Sequence, residues 1–163
     1  MLKNINKNIK ILYVEDDEIA RENGVEYLQN FFEQIYEASD AIKALQLYEK
    51  YQPDIIITDI QMPKLNGLEF VKRIRQKDKK TQIIIITAFC DKDYLLKAIE
   101  LGLVKYLVKP VCEKEFEEAL FLCINSLQNN ESNIIKLDEN SYFDIFNKNL
   151  LINEEIIKIK KKE

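Results

Sequence analysis

Histidine is absent from this 163-residue chain. That excludes imidazole acid/base catalysis, imidazole metal sites and phosphohistidine chemistry carried by the chain itself. Cysteine is scarce, and Cys90, Cys112 and Cys123 form an odd, widely spaced set with no metal-ligand spacing. They read as free thiols in a reducing cytoplasm. No apolar run approaches the roughly 20 residues that span a bilayer. The opening Met-Leu-Lys-Asn-Ile-Asn-Lys-Asn has no signal-peptide core. A cytoplasmic location without a membrane partner is the expectation. Internal repeats and long low-complexity segments are missing too. A net charge of −4 gives no electrostatic drive toward nucleic acid or anionic lipid.

What is present is ordinary for a globular protein, with 47% hydrophobic and 32% charged residues. The length allows one domain with a real core and a modest appendage. Residues 55–67 stand at the centre. Ile55 to Thr58 are apolar or β-branched without alternation, which predicts a short strand buried on both faces, as in a parallel sheet. The run ends at Asp59, and Met62-Pro63 and Asn66-Gly67 then stop regular structure. An acid is thereby held at the carboxyl end of a central strand, where open α/β sheets place their ligand sites. Taken singly, such an Asp caps a loop as readily as it does chemistry.

Its company decides the matter. A first strand, Ile9–Val14, runs into Glu15-Asp16-Asp17, and a helix is predicted over about 17–32. A strand at 34–37 and a helix at Ala41–Tyr51 follow, then a helix from Leu68 to about Gln76. Lys77-Asp78-Lys79-Lys80 reads as a solvated charged turn. The strand Ile83–Ile86 ends at Thr87, a helix over about 91–101 stops at Gly102, and the strand Tyr106–Val108 ends at Lys109-Pro110. The last helix runs from about Glu113 to Leu127. Strand and helix alternate throughout, which predicts an α/β fold: a doubly wound, five-stranded parallel sheet over residues 1–127. A polar linker is expected at 128–133. Over 134–163 short runs at Ile134–Leu137, Tyr142–Phe146, Leu150–Ile152 and Ile156–Ile159 predict a small antiparallel β meander.

In such a sheet Glu15/Asp16, Asp59, Thr87 and Lys109 all open on one edge. Clustered carboxylates repel one another, and a hard divalent cation such as Mg²⁺, which prefers oxygen ligands, resolves the repulsion. Lys109 adds a fixed positive charge and Thr87 a hydroxyl donor, both suited to phosphoryl oxygens. The set supports in-line transfer of a phosphoryl group onto the Asp59 carboxylate. A β-branched Thr or a surface Lys alone would carry little weight; the four in this order carry much more.

These residues resemble the receiver domain of two-component response regulators, the CheY-like superfamily. The likeness covers about residues 8–127 and rests on Ile-Leu-Tyr-Val-Glu-Asp-Asp, Thr-Asp-Ile-Gln-Met-Pro-Lys-Leu-Asn-Gly, Ile-Ile-Ile-Thr-Ala and Lys-Tyr-Leu-Val-Lys-Pro. It implies the flavodoxin/CheY-like fold, and Asp59 as phosphoacceptor of a sensor histidine kinase. It implies Mg²⁺ held by Asp16, Asp59 and the main-chain carbonyl of Gln61, with Glu15 acting through water. Asp17 then caps the first helix. It further implies a cis Lys109–Pro110 peptide and Tyr106 as the aromatic that turns inward when Thr87 is drawn to the phosphate. Such a protein assists its own phosphorylation and dephosphorylation and is not a turnover enzyme. Gln61 and Phe89, two residues beyond Asp59 and Thr87, would flank an attacking water, and bulky Phe89 is expected to lengthen the phosphoaspartate's life.

From Ile134 the chain resembles the opening of the DNA-binding domain in winged-helix regulators of the OmpR/PhoB type. The points of likeness are Phe143-Asp144 to Asn147 and Leu150-Leu151-Ile152-Asn153-Glu154-Glu155-Ile156. The resemblance implies transcription regulation through a domain mostly missing here, so that DNA is contacted only by the absent part and the chain is truncated. The receiver departs from that family in having Val104-Lys105 in place of acids and no arginine in the last helix. A core stripe of Phe116, Leu120, Cys123, Ile124 and Leu127 then leaves Ala119 and Leu122 as an apolar patch for a homodimer or another partner. Two alternatives stay open: a stand-alone receiver acting as an interaction module, and an aspartate-nucleophile phosphatase. The latter is disfavoured by Gln61 where a second acid is usual.

Overall fold

A computed structural model describes Leu2, residues 8–128, and the strand backbones 134–136, 141–144, 149–152 and 155–158. The chain divides into two compact units, Met1–Ile124 and Asn125–Glu163. The expected linker at 128–133 lies, beyond Gln128, outside the described residues.

The first unit alternates strand and helix: β1 (Lys10–Val14), α1 (Glu18–Gln29), β2 (Gln34–Ala38), α2 (Ala41–Tyr51), β3 (Ile55–Thr58), α3 (Gly67–Arg75), β4 (Gln82–Thr87), α4 (Lys92–Glu100), β5 (Lys105–Val108) and α5 (Glu113–Gln128). All pairings are parallel in the order β2-β1-β3-β4-β5, so this is the doubly wound sheet that the non-alternating isoleucines predict. Every residue of β3 is buried. On one face Leu12, Val14, Ile56 and Ile83 pack with Ala41, Ala44 and Tyr48 of α2 and Phe70, Val71 and Ile74 of α3. Tyr27 of α1 meets Phe116 of α5, with ring centroids 5.6 Å apart. Leu120, Cys123 and Ile124 of α5 are buried.

Each helix from α1 to α4 begins where an Asp or Asn accepts a hydrogen bond from an N–H of its first turn: Asp17, Asp40, Asn66 and Asp91. Helix α1 is shorter than expected. It stops at Gln29, and Phe32 is buried beyond its end. The carboxyl end of α4 is held from outside. Gly102 there has φ of +67°, and the Arg75 guanidinium donates to the carbonyls of Leu101 (2.8 Å), Gly102 (3.4 Å) and Asp78 (3.1 Å).

Two expectations need correction. Ala119 is not surface but fully buried, because it lies three residues after Phe116 and four before Cys123 on the same stripe. The exposed apolar residues of α5 are Phe121 and Leu122. The turn Lys77–Lys80 is not wholly solvated. Asp78 is half-buried and accepts from the Tyr48 hydroxyl (2.7 Å), the Thr81 hydroxyl, and the N–H groups of Lys80 (2.7 Å) and Thr81 (3.0 Å).

In the second unit β6 (Ile134–Lys136), β7 (Ser141–Asp144), β8 (Asn149–Ile152) and β9 (Glu155–Lys158) form a separate antiparallel sheet in sequential order. Among the described residues no helix is long and apolar enough to cross a membrane.

Candidate functional site

The carboxyl ends of β1, β3, β4 and β5 converge on one edge of the parallel sheet, because register pairs Val14 with Thr58, Thr58 with Ile85, and Thr87 with Val108. The residues after β3 and β5 are fastened to neighbouring strands: Asp59 N–H donates to the Val14 carbonyl (3.1 Å) and Lys109 N–H to the Thr87 carbonyl (2.8 Å). The Lys109–Pro110 peptide is cis.

Lys109 Nζ lies 2.7 Å from Glu15 Oε2 and 2.7 Å from Asp59 Oδ2, one ammonium shared by two buried carboxylates. The other Asp59 oxygen, Oδ1, accepts from Gln61 N–H at 3.1 Å. Asp17 N–H reaches Glu15 Oε1 at 3.3 Å. Burial pushes the Glu15 carboxyl above its ordinary value, against the opposing pull of Lys109. Burial alone would lower Lys109, but its hydrogen bonds and charge attraction to Asp59 and Glu15 outweigh that and hold it well above an ordinary lysine. Tyr13, buried beside this pair, is pushed up to about 12 by burial and by the Glu15 charge.

Glu15, Asp16 and Asp59 each offer a carboxylate oxygen, and these lie within 4.8 Å of one another. Among the described residues this all-oxygen set, two members buried and Asp16 exposed, fits a hard divalent cation such as Mg²⁺. Thr87 is fully buried, and its hydroxyl oxygen accepts from Phe89 N–H at 3.3 Å. The half-buried Tyr106 donates its hydroxyl to the Phe89 carbonyl at 2.7 Å. Through the one residue Phe89, Thr87 and Tyr106 are therefore joined. The Phe89 side chain itself is 45% exposed beside the site.

Two residues escaped sequence reasoning. Arg21 of α1 turns back to donate from Nη1 to the Glu15 carbonyl at 2.9 Å and the Asp16 carbonyl at 3.5 Å. Gly67 donates N–H to the Ile60 carbonyl at 2.8 Å, and a Cβ there would lie 1.9 Å from the Asp59 carbonyl oxygen. The glycine that stops the loop thus also lets α3 approach the backbone of Asp59.

Comparison with known proteins agrees with this geometry. A family model described as "Response regulator receiver domain" matches residues 11–121. The transcriptional regulatory protein BtsR of Salmonella typhi is 38% identical over 114 residues, covering 69% of this chain and 46% of that protein. The sensory transduction protein LytT of Oceanobacillus iheyensis is 36% identical over 114 residues, covering 69% and 46%. The chain thus spans about half the length of the curated relatives it matches. Among solved structures, the N-terminal domain of an uncharacterized protein from Wolinella succinogenes superposes with a TM-score of 0.70 at 39% identity, covering 76% of this chain and 99% of that one.

Proposed function

The chain belongs to the response regulator receiver domain family, and from that premise we propose that Asp59 accepts a phosphoryl group from a sensor histidine kinase and so controls an output. The observation that carries this reading is the single Lys109 ammonium shared at 2.7 Å between Asp59 and Glu15 at the buried strand edge. An Asp59 carboxylate oxygen forms the new bond to phosphorus, and the bond to the donor's imidazole nitrogen breaks with its electron pair leaving on that nitrogen. Lys109 and Gln61 N–H hold the Asp59 carboxylate in place for the attack. Lys109 and the Thr87 hydroxyl then balance charge on the equatorial oxygens. Asp16, Asp59 and the main-chain carbonyl of Gln61 would hold Mg²⁺, with Glu15 acting through water; when bound, the ion supplies the remaining charge neutralisation.

Drawing Thr87 toward the phosphoryl group pulls on Phe89 N–H, and the Phe89 carbonyl is the anchor of Tyr106. Tyr106 is in this reading the switch that reports the charge at Asp59. Phe89 and Gln61 flank the path of an attacking water and set the lifetime of the phosphoaspartate. The output is transcription control through a winged-helix domain of the OmpR/PhoB type. The sequential antiparallel sheet β6–β9 supports that subtype, and the regulator BtsR supports a transcriptional role. A second reading, a receiver serving as an interaction or dimerisation module, is favoured by the exposed Leu95, Leu96 and Ile99 of α4 and Phe121 and Leu122 of α5.

The test is intact-mass measurement with acetyl phosphate, with and without Mg²⁺, on wild type and Asp59→Ala. A Mg²⁺-dependent gain of one phosphoryl group, lost in the variant, is the expected result. No gain under any condition would sink the phosphoacceptor reading and leave the interaction module.

A further inference from the structure

The three carboxylates of the acidic cluster are not fixed equally. Asp59 is held on both oxygens, by Lys109 and by Gln61 N–H. Glu15 is likewise held on both, by Lys109 and by Asp17 N–H. Asp16 is exposed, and among the described residues its carboxylate has no hydrogen-bond partner; the one bond to this residue goes to its main-chain carbonyl. The region that carboxylate can reach is therefore set by the backbone of the acidic turn. The Glu15 amide is secured to the Ala38 carbonyl at 3.1 Å. The carbonyls of Glu15 and Asp16 are secured by a side chain, Nη1 of Arg21. The main chain of Arg21 is anchored in turn, since its amide donates to the carbonyl of the capping Asp17 at 2.9 Å.

We propose that Arg21 is a positioning residue for Asp16: it pins the acidic turn so that the Asp16 carboxylate stays within ligand distance of Glu15 and Asp59. This rests on the Mg²⁺ reading above. Chemistry gives the idea a sign. A guanidinium beside a cation site repels the cation, so an arginine acting by charge alone would weaken Mg²⁺ binding and its removal would tighten it. An arginine acting by position does the opposite, as groups that orient metal ligands generally do.

Calorimetric titration with Mg²⁺ alone separates the two. Arg21→Ala and Arg21→Gln are each expected to bind Mg²⁺ about tenfold more weakly, with the helical circular dichroism of the metal-free protein unchanged. In an Asp16→Asn background the same substitutions are expected to change affinity little, because the residue they act through is already lost. Unchanged or tighter binding in whichever single variant folds overturns the proposal. So does an equal loss in the Asp16→Asn background, which would make Arg21 a general support of the fold. Wild type that binds Mg²⁺ but takes no phosphoryl group would defeat the phosphoacceptor reading and leave the Arg21 comparison standing. No Mg²⁺ binding by wild type overturns both.

Discussion

The two edges of the parallel sheet each hold carboxylates that are partly or wholly buried, and they treat them in opposite ways. At the amino edge, Asp78 collects four donors from Tyr48, Thr81 and Lys80. These outweigh the cost of burial and hold its carboxyl down to about 2. At the carboxyl edge, Glu15 and Asp59 share the one ammonium of Lys109, and Glu15 is pushed up by burial. The amino edge is complete within the chain. The carboxyl edge is left short of positive charge, and in the function proposed above a bound Mg²⁺ would make up that shortage.

Substitutions can break this contrast. The largest effect is expected from Gly67→Ala, whose Cβ would lie 1.9 Å from the Asp59 carbonyl oxygen. A loss of about 3 kcal/mol in urea unfolding is expected, because backbone rather than a flexible side chain must yield. Next comes Asp78→Asn, which turns an amide N–H₂ toward donors. Loss of about 2 kcal/mol is expected at neutral pH. The folded value of Asp78 is depressed, so its contribution is present above the ordinary carboxylate range and fades as pH falls from about 4 through about 2. The gap between wild type and Asp78→Asn should close over that interval.

Glu15→Gln sharpens the comparison from the other side. Without metal it should leave stability unchanged or raise it by less than about 1 kcal/mol, since the charged form is the costly one there. With its folded value raised, the stability Glu15 contributes is full below the ordinary carboxylate range and lost as pH rises through that raised value. Any gain from Glu15→Gln therefore shrinks on acidification, opposite in sense to a deficit at Asp78. Mg²⁺ titration in the same unfolding assay should stabilise wild type more than the variant. The smallest effect belongs to Lys77→Met, which removes the ion pair with Glu49 on open surface. A change within about 0.5 kcal/mol is expected, and less in high salt.

The carboxyl edge was legible because its chemistry sits at strand ends, and runs such as Ile55–Thr58 mark strand ends plainly. The amino edge was not. Asp78 sits among three lysines that are exposed, and composition alone made the whole turn look solvated. Its donor Tyr48 reaches it only because α2 packs beside α3, which no local pattern records. Ala119 was misplaced for a related reason. A small side chain between two larger buried ones contributes little to a hydrophobic count, yet its helical phase puts it inside. Arg21 was visible as a charge on α1 but not as a donor, since its acceptors are main-chain carbonyls that any residue would present. Beyond Gln128 the backbone of β6–β9 alone is described, and side-chain readings there fall outside the described residues.

The bonds from Arg75 to Leu101 and Gly102 make α4 a lever with a fulcrum. The helix is nine residues long, a rod of about 13 Å at 1.5 Å per residue. Its far end begins at Asp91, directly after the Phe89 segment that touches both Thr87 and Tyr106. Ala98 is its one fully buried residue, and Tyr94 packs partly buried against the cluster of Ile60, Leu68 and Ile85. A shift of about 1 Å at the far end of such a rod is a tilt of about 4°. Displacement grows with distance from the fulcrum, so any such tilt would carry Leu95 further than Ile99 and change the slant of the exposed apolar row on α4.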